Sequence, residues 1–159
     1  MSSSAPGQSP RANVDAQPEP RERRYAHREE PALTPDEITL TIPRDRAFYG
    51  VAHLVLGGLV IRSDLTIEHL EDLQLALDAV LERARESEDV TITLVVKDGE
   101  IETAIWPMRD GIREELEAPG GDSVGLRRML DTLVDGVELA PGDGGDRLKL
   151  TKRVQAGSR

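Results

Sequence analysis

The sequence contains no cysteine, which excludes disulfide bonds, thiolate catalysis and zinc sites built on cysteine. It also lacks a long hydrophobic segment. The most apolar run, Ala47–Ile61, is shorter than the roughly 20 residues that a membrane helix needs. The N-terminus has no basic segment leading into an apolar one, as a secretory signal would have. We therefore expect a cytoplasmic protein without a membrane span, in which residues 47–61 form a buried helix.

The net charge of −10 is unevenly distributed along the 159 residues. Residues 1–35 hold equal numbers of arginines and acidic residues, so the whole excess of acid lies in residues 36–159. An acidic domain repels the phosphate backbone and gains nothing from counterion release. The charge distribution argues against nucleic acid as a direct partner and favours a basic protein surface.

The composition divides the chain into one folded domain and two tails. Residues 1–36 are rich in Ser, Pro, Ala, Arg and Glu and have no periodic apolar face. Such a segment cannot bury enough surface to offset the entropy of ordering. We predict a disordered tail over residues 1–36, a folded domain over residues 37–155 and a short tail over residues 156–159.

Hydrophobic periodicity predicts the first elements of this domain. Ile38–Pro43 alternates apolar and polar residues, as a half-buried strand does. A first helix is predicted from Arg46 to Ser63. A second helix, capped by Thr66, is predicted to continue to about Ser87, with an apolar stripe at three- and four-residue steps from Leu70 to Ala84.

The second half of the domain is predicted to contain more strands than helices. Two β-rich runs, Val90–Val96 and Glu100–Trp106, flank an Asp-Gly pair, which is the strongest short hairpin signal. Residues 108–122 are predicted to be a mobile segment with one helical turn at Ile112–Leu116. The remaining elements are a third helix, Val124–Val134, capped by Ser123, and two strands, Gly136–Leu139 and Asp146–Val154. This order predicts an α+β fold, a two-layer sandwich with helices on one face of a mixed, mostly antiparallel sheet.

Four motifs resemble those of a known family. In chain order they are Leu75–Ala84, Ile105–Gly111, Val124–Leu126 followed by Leu133–Val137, and Gly144–Lys152. They are similar to the anti-sigma factor and serine-protein kinase family of bacteria, which has the histidine-kinase/Hsp90-type (GHKL) ATPase fold. The resemblance covers residues 38–154 and implies this fold. It also implies a homodimer formed through the first strand and first helix, and a sigma factor or STAS-type antagonist as partner.

The sequence departs from this family at the positions that carry its chemistry. The resemblance implies a catalytic Glu and a magnesium-binding Asn in the second helix, where Ala79 and Arg83 stand. Shifting the alignment by one residue places Asp78 and Glu82 there instead. Magnesium requires oxygen ligands, which arginine does not supply.

The motifs that would hold the nucleotide depart in the same way. The adenine-reading Asp falls on Pro107, which has neither a carboxylate nor a backbone N–H, and the phosphate-contacting Thr falls on Asp146. Arg109 replaces one glycine and Gly111 is retained. The remnant of the pocket is therefore predicted at Asp78, Ala79, Arg83, Pro107, Arg109, Gly111, Gly125 and Asp146.

Phosphoryl transfer depends on positioning and charge neutralisation, so these departures predict no catalytic residue, no metal ligand and no cofactor. Weak binding of ATP and magnesium is the alternative. Arg83 and Arg109 either converge on an anion in the remnant pocket or form surface ion pairs with Asp78, Glu82 or Asp110.

Three functions follow from these observations. The first is an anti-sigma-factor-like regulatory domain that binds a protein and has a degenerate, non-catalytic ATP site. The second is an ATP-dependent serine-protein kinase of the same family with a rearranged nucleotide site. The third is a structural dimerisation domain. The departures from the family motifs favour the first.

Overall fold

Nine elements lie in the part of the chain that the structure describes. A computed structural model describes Gly7 and residues 36–86, 89–119 and 125–153. The strands are Asp36–Ile42 (β1), Val90–Lys97 (β2), Glu100–Trp106 (β3), Gly136–Ala140 (β4) and Arg147–Arg153 (β5). The helices are Arg46–Ile61 (α1), Ile67–Leu81 (α2), Ile112–Glu117 (α3) and Leu126–Leu133 (α4). The tails predicted at residues 1–36 and 156–159 lie outside the described residues, apart from Gly7 and Asp36.

The strands form one sheet in the order β1-β2-β3-β5-β4, and all of their pairings are antiparallel. The β2–β3 hairpin turns at Asp98 and Gly99, whose φ angles are 47° and 76°. Positive φ at both central residues defines a type I′ turn, for which Asp-Gly is a preferred pair. The predicted hairpin is therefore confirmed, and no parallel pair occurs among the described strands.

The helices pack on one face of the sheet and form the core with it. Alternate residues of the central strands are buried, and α2 contacts them with its apolar stripe. The fully buried side chains include Leu73, Leu77, Leu81, Ile92, Leu94, Ile101, Ile105 and Leu148. Burying one such side chain stabilises the fold by about 1.5–3 kcal/mol. The predicted α+β two-layer sandwich is confirmed.

Side chains stabilise both ends of α2. Thr66 Oγ1 accepts a hydrogen bond from the His69 amide at 3.3 Å, and His69 Nδ1 accepts one from the Thr66 amide at 3.2 Å. The predicted cap is therefore confirmed. At the other end, Arg44 donates to the Glu82 carbonyl at 2.5 Å, and Arg46 pairs with the Glu82 carboxylate. Cations near a helix C-terminus are stabilising.

Helix α2 is shorter than predicted. It ends at Leu81 instead of continuing to residue 87, because the backbone at residues 83–85 pairs with residues 107–109. The Arg85 amide donates to the Pro107 carbonyl at 3.1 Å, and Ala84 is bridged to Met108. This pairing requires backbone that is no longer helical, and the local apolar pattern gives no sign of it.

Helix α1 is only half buried, which corrects the prediction of a buried helix. Tyr49, Ala52, Leu56, Leu59 and Val60 pack into the core, whereas the opposite face is exposed. The single layer of helices explains this, because one face of α1 has the sheet and α2 beneath it and the other has solvent. In the part of the chain that the structure describes, no helix is long and apolar enough to cross a membrane.

The connection from β3 to β4 contains two short helices. The predicted helical turn is confirmed as α3, which is preceded by Gly111 with φ 86°, a conformation that favours glycine. Helix α4 begins at Leu126 with Gly125 as its N-cap. The helix thus starts two residues later than predicted, and the predicted cap, Ser123, lies outside the described residues.

Candidate functional site

A short antiparallel backbone pairing follows α2 and β3, in the region of the predicted pocket. Ala84 and Met108 are partners in it, and both are buried. Arg83 and Arg109 form the neighbouring opposed pair, since the Arg109 amide donates to the Arg83 carbonyl at 3.0 Å. Opposed residues point to the same side of such a pair, and successive residues point to opposite sides. Arg83 and Arg109 therefore lie together on the outer side.

Both arginines donate to one carboxylate. Arg83 Nε donates to Glu115 Oε1 at 2.7 Å, and Arg109 Nη2 donates to Glu115 Oε2 at 2.5 Å. Arg83 Nη1 also donates to the Ala79 carbonyl at 2.7 Å, which holds this guanidinium against the last turn of α2. Both arginines thus form ion pairs within the chain, but with Glu115 and not with the predicted partners Asp78, Glu82 or Asp110. A separate anion bound in the remnant pocket stays a prediction.

The surroundings of Glu115 act on its pKa in opposite directions. Burial disfavours the charged carboxylate and raises the pKa, whereas hydrogen bonds and positive charge from Arg83 and Arg109 favour the charged form. The arginines prevail, so the pKa of Glu115 is lowered from its ordinary value. Glu115 therefore remains an anion at neutral pH although its side chain is only 26% exposed.

Two further arginines flank this group. Arg85 Nη1 donates to the Gly144 carbonyl at 2.7 Å, and its Nη2 lies 3.8 Å from the Asp110 carboxylate. Arg113 Nη2 lies 3.9 Å from the Asp146 carboxylate. These contacts join four arginines to three carboxylates, and we name the group the arginine cluster: Arg83, Arg85, Arg109 and Arg113 with Asp110, Glu115 and Asp146. It is a locally positive group on a chain whose net charge is −10.

Most residues of the predicted pocket contribute to the cluster, several of them through the backbone. Ala79 is 9% exposed and belongs to the core, and its carbonyl contacts Arg83. The Pro107 carbonyl accepts from the Arg85 amide, and the Asp146 carbonyl accepts from the Met108 amide at 2.9 Å. Gly111 caps the helix that carries Glu115. The structure thus brings Ala79, Arg83, Pro107, Arg109, Gly111 and Asp146 into one region.

Asp78 and Gly125 make different contacts. Asp78 Oδ1 lies 2.7 Å from His53 Nε2, so this carboxylate joins α2 to α1. Gly125 lines a groove of about 380 Å³ with Leu116 and Arg128. These two members of the predicted pocket are therefore engaged elsewhere.

Sequence reasoning missed Glu115 as the centre of the site. Glu115 lies in a highly charged segment in which the pattern predicts only a helical turn. Two arginines that oppose each other on paired backbones require an anion between them, and this requirement could have indicated a nearby acidic residue. The sequence does not show that the arginines are opposed, because this depends on the long-range pairing of residues 83–85 with 107–109.

The outer face of α1 is a second candidate surface. Its residues, which we call the α1 face, are all exposed and uncharged: Ala47, Phe48, Gly50, Val51, Leu54, Gly58 and Ile61. Leu54 and Ile61 are 78% and 87% exposed. The face continues into a mostly apolar groove of about 550 Å³ between α1 and the start of α2, lined by Leu54, Ile61 and Ile67 among others.

The glycines of α1 have no explanation within the described chain. A methyl group added at Gly50, Gly57 or Gly58 would meet no atom within 4 Å. Glycine inside a helix destabilises it by about 0.5–1 kcal/mol relative to alanine. Packing within the described residues therefore does not account for three glycines in this helix.

No protein-family model matches this sequence, and no curated protein matches it. Among solved structures, the chain is similar to the crystal structure of the RsbU and RsbW domains of Rv1364c from Mycobacterium tuberculosis. The TM-score is 0.56 at 14% sequence identity, and the likeness covers 78% of this chain and 34% of that chain. The chain thus spans about a third of the length of the structure that it matches. At this identity the likeness concerns the fold alone, so the chain shares its α+β fold with part of this mycobacterial protein, as the four motifs predicted.

Proposed function

We propose that this domain is a cytoplasmic, anti-sigma-factor-like regulator that acts by binding another protein and whose ATP site is degenerate and non-catalytic. The fold supports the proposal, because the solved structure that it resembles includes an RsbW domain and the four sequence motifs resemble those of the anti-sigma factor and serine-protein kinase family. The partner is then a sigma factor or a STAS-type antagonist. The acidic charge of residues 36–159 suits a partner with a basic surface.

The position of Arg83 carries the non-catalytic part of the proposal. In the family that the sequence resembles, the corresponding residue is an Asn that ligates magnesium. Here a guanidinium is held by the Ala79 carbonyl and Glu115, and a fixed cation repels a metal ion. Asp146, where the family has a Thr that contacts phosphate, adds negative charge. The fixed cation disfavours a metal ion, and Glu115, which already occupies both arginines, disfavours the phosphates of a nucleotide.

Calorimetric titration with ATP and magnesium tests the loss of the nucleotide site. We expect no binding tighter than about 100 μM, which corresponds to about −5.5 kcal/mol. Tighter binding, together with transfer of phosphate to a serine of a STAS-type protein, would instead support the serine-protein kinase.

Cross-linking in the native cell, followed by mass spectrometry, tests the partner class. We expect a sigma factor or a STAS-type protein among the linked products. Recovery of the protein linked only to itself would support the structural dimerisation domain.

The α1 face supports a homodimer in which α1 packs against α1 of a second copy. Gly50 and Gly58 lie four residues before and after Leu54, so all three share one side of the helix. The glycines leave notches beside an exposed leucine, and a second copy in antiparallel orientation can place its own leucine there. A face that has both the projections and the notches is self-complementary, as a twofold interface requires. The absence of charge lets two acidic chains meet there without like-charge contacts.

A further inference from the structure

The Arg83 guanidinium and the backbone at Arg109 are held by contacts that do not involve Glu115. The Ala79 carbonyl holds the Arg83 guanidinium at 2.7 Å. The backbone on the opposite side is anchored next to Arg109, where the Met108 amide donates to the Asp146 carbonyl at 2.9 Å. Two cations opposed on paired backbones destabilise that pairing unless an anion lies between them. The backbone thus builds a site that requires negative charge.

The Glu115 carboxylate fills this site in the way that a bound anion would. One of its oxygens accepts from Arg83 and the other from Arg109, at 2.7 and 2.5 Å. Guanidinium groups recognise carboxylate and phosphate with the same paired hydrogen bonds. A phosphate group carries more negative charge than a carboxylate and has three acceptor oxygens. A phosphate group can therefore form the same hydrogen bonds to both arginines as Glu115 does.

We propose that Arg83 and Arg109 bind a phosphate-type oxyanion, and that Glu115 is an internal competitor that occupies the site when this anion is absent. Arg85 and Arg113 flank the pair with Asp110 and Asp146 beside them. The four arginines of the cluster still exceed its three carboxylates, so this part of an acidic chain attracts an anion. The ligand is a phosphate group, either free or in a phosphate ester. Phosphate binding at this site does not depend on the protein partner. In the wild-type chain, competition by Glu115 keeps the affinity for phosphate low.

Removing the internal competitor tests the site. Thermal unfolding of the full-length wild type and the Glu115→Ala variant is followed while inorganic phosphate is added. We expect a saturable rise in melting temperature for the variant, with a Kd for phosphate at least about tenfold lower than that of the wild type, equivalent to about 1.4 kcal/mol. The double variant Glu115→Ala/Arg109→Ala corrects for the general stabilisation that phosphate gives to folded proteins.

Parallel titrations with phosphoserine identify the source of the phosphate group. Tighter binding of phosphoserine than of inorganic phosphate to Glu115→Ala would indicate a phosphate ester, and the reverse order would indicate free phosphate. Either order supports the site when Arg109→Ala abolishes the response.

A folded Glu115→Ala variant whose response equals that of the double variant overturns the proposal. Circular dichroism establishes whether the variant is folded. If Glu115→Ala does not fold, Glu115→Gln, which retains the volume of the side chain, is titrated in its place with Glu115→Gln/Arg109→Ala as its control. A lower Kd for phosphate in Glu115→Gln than in the wild type then supports the site, and a response equal to that of its double variant overturns it.

Discussion

At the scale of single residues, two threonine hydroxyls of the sheet differ in whether they have a hydrogen-bond partner. Thr103 on β3 is 1% exposed and faces the core, and its hydroxyl has no hydrogen-bond partner among the described residues. Thr39 on β1 is exposed, and its hydroxyl pairs with that of Thr93 at 3.0 Å. A buried hydroxyl without a partner loses its hydrogen bonds to water and gains none in return.

Thr103→Val should therefore stabilise the protein. Valine has the shape of threonine and removes the unpaired hydroxyl, so we expect the free energy of unfolding to rise by about 1 kcal/mol. Urea denaturation of the variant measures this change. Thr39→Val is the matched control in the same sheet and should change stability by less than about 0.5 kcal/mol. A loss of stability in Thr103→Val would show that the hydroxyl has a partner.

Glu115 should make the stability of the domain depend on pH. Its pKa in the folded state is lowered below the ordinary value of 4.5, so the ionised group stabilises the fold above that pH. This contribution is lost as the pH falls through the lowered pKa of the folded state. Glu115→Gln should reduce the free energy of unfolding by about 1–3 kcal/mol at pH 7, because it leaves two arginines without their anion.

Chemical denaturation of both proteins from pH 7 to pH 3 measures this effect. The difference in the free energy of unfolding between wild type and Glu115→Gln should be constant at neutral pH and shrink below about pH 4.5. The other carboxylates titrate in both proteins, so their contributions cancel in this difference. Glu114→Gln, on the exposed neighbour of Glu115, should show neither the loss nor the pH dependence. A difference that grows on acidification would contradict the lowered pKa.

At the scale of elements, some features follow from local sequence and others from distant contacts. The Asp98-Gly99 hairpin and the Thr66 cap are local, because a turn or a cap depends on residues within a few positions of each other. The end of α2 at Leu81 is not local, since it depends on pairing with residues 107–109. The same pairing creates the Arg83–Arg109 opposition. Sequence patterns therefore predicted the fold and the approximate region of the site, whereas Glu115 as its centre required the structure.

Helix α1 gives the element-scale prediction, because its glycines affect folding and association in opposite ways. Gly50→Ala and Gly58→Ala should each stabilise the monomeric helix by about 0.5–1 kcal/mol. Each should also weaken the dimer, since the added methyl group fills a notch beside Leu54. Sedimentation velocity measures the association, and denaturation at low protein concentration measures the stability.

Gly57 does not serve as a control, because it follows Leu54 by three residues and shares its side of the helix. A gain of stability in both Gly50→Ala and Gly58→Ala with no loss of association would exclude α1 packing against α1 through these notches.

At the scale of the whole molecule, the exposed apolar residues of the α1 face are separate from the charged residues that give the domain its net charge. The net charge of −10 is carried by residues 36–159, whereas the α1 face has no charged residue. Two copies that meet through this face repel each other at long range and attract at contact. A basic partner, by contrast, is attracted at long range.

The two kinds of association should therefore respond to salt with opposite signs. Added salt shortens the screening length from about 10 Å at 0.1 M to about 3 Å at 1 M. Screening reduces the repulsion between two acidic copies, and we expect the dimer dissociation constant to fall several-fold over this range. The complex with a basic partner should weaken over the same range. Sedimentation equilibrium in sodium chloride measures the first and calorimetry the second. A dimer that weakens with salt would show that ion pairs hold it together, and the α1 face would then not be its interface.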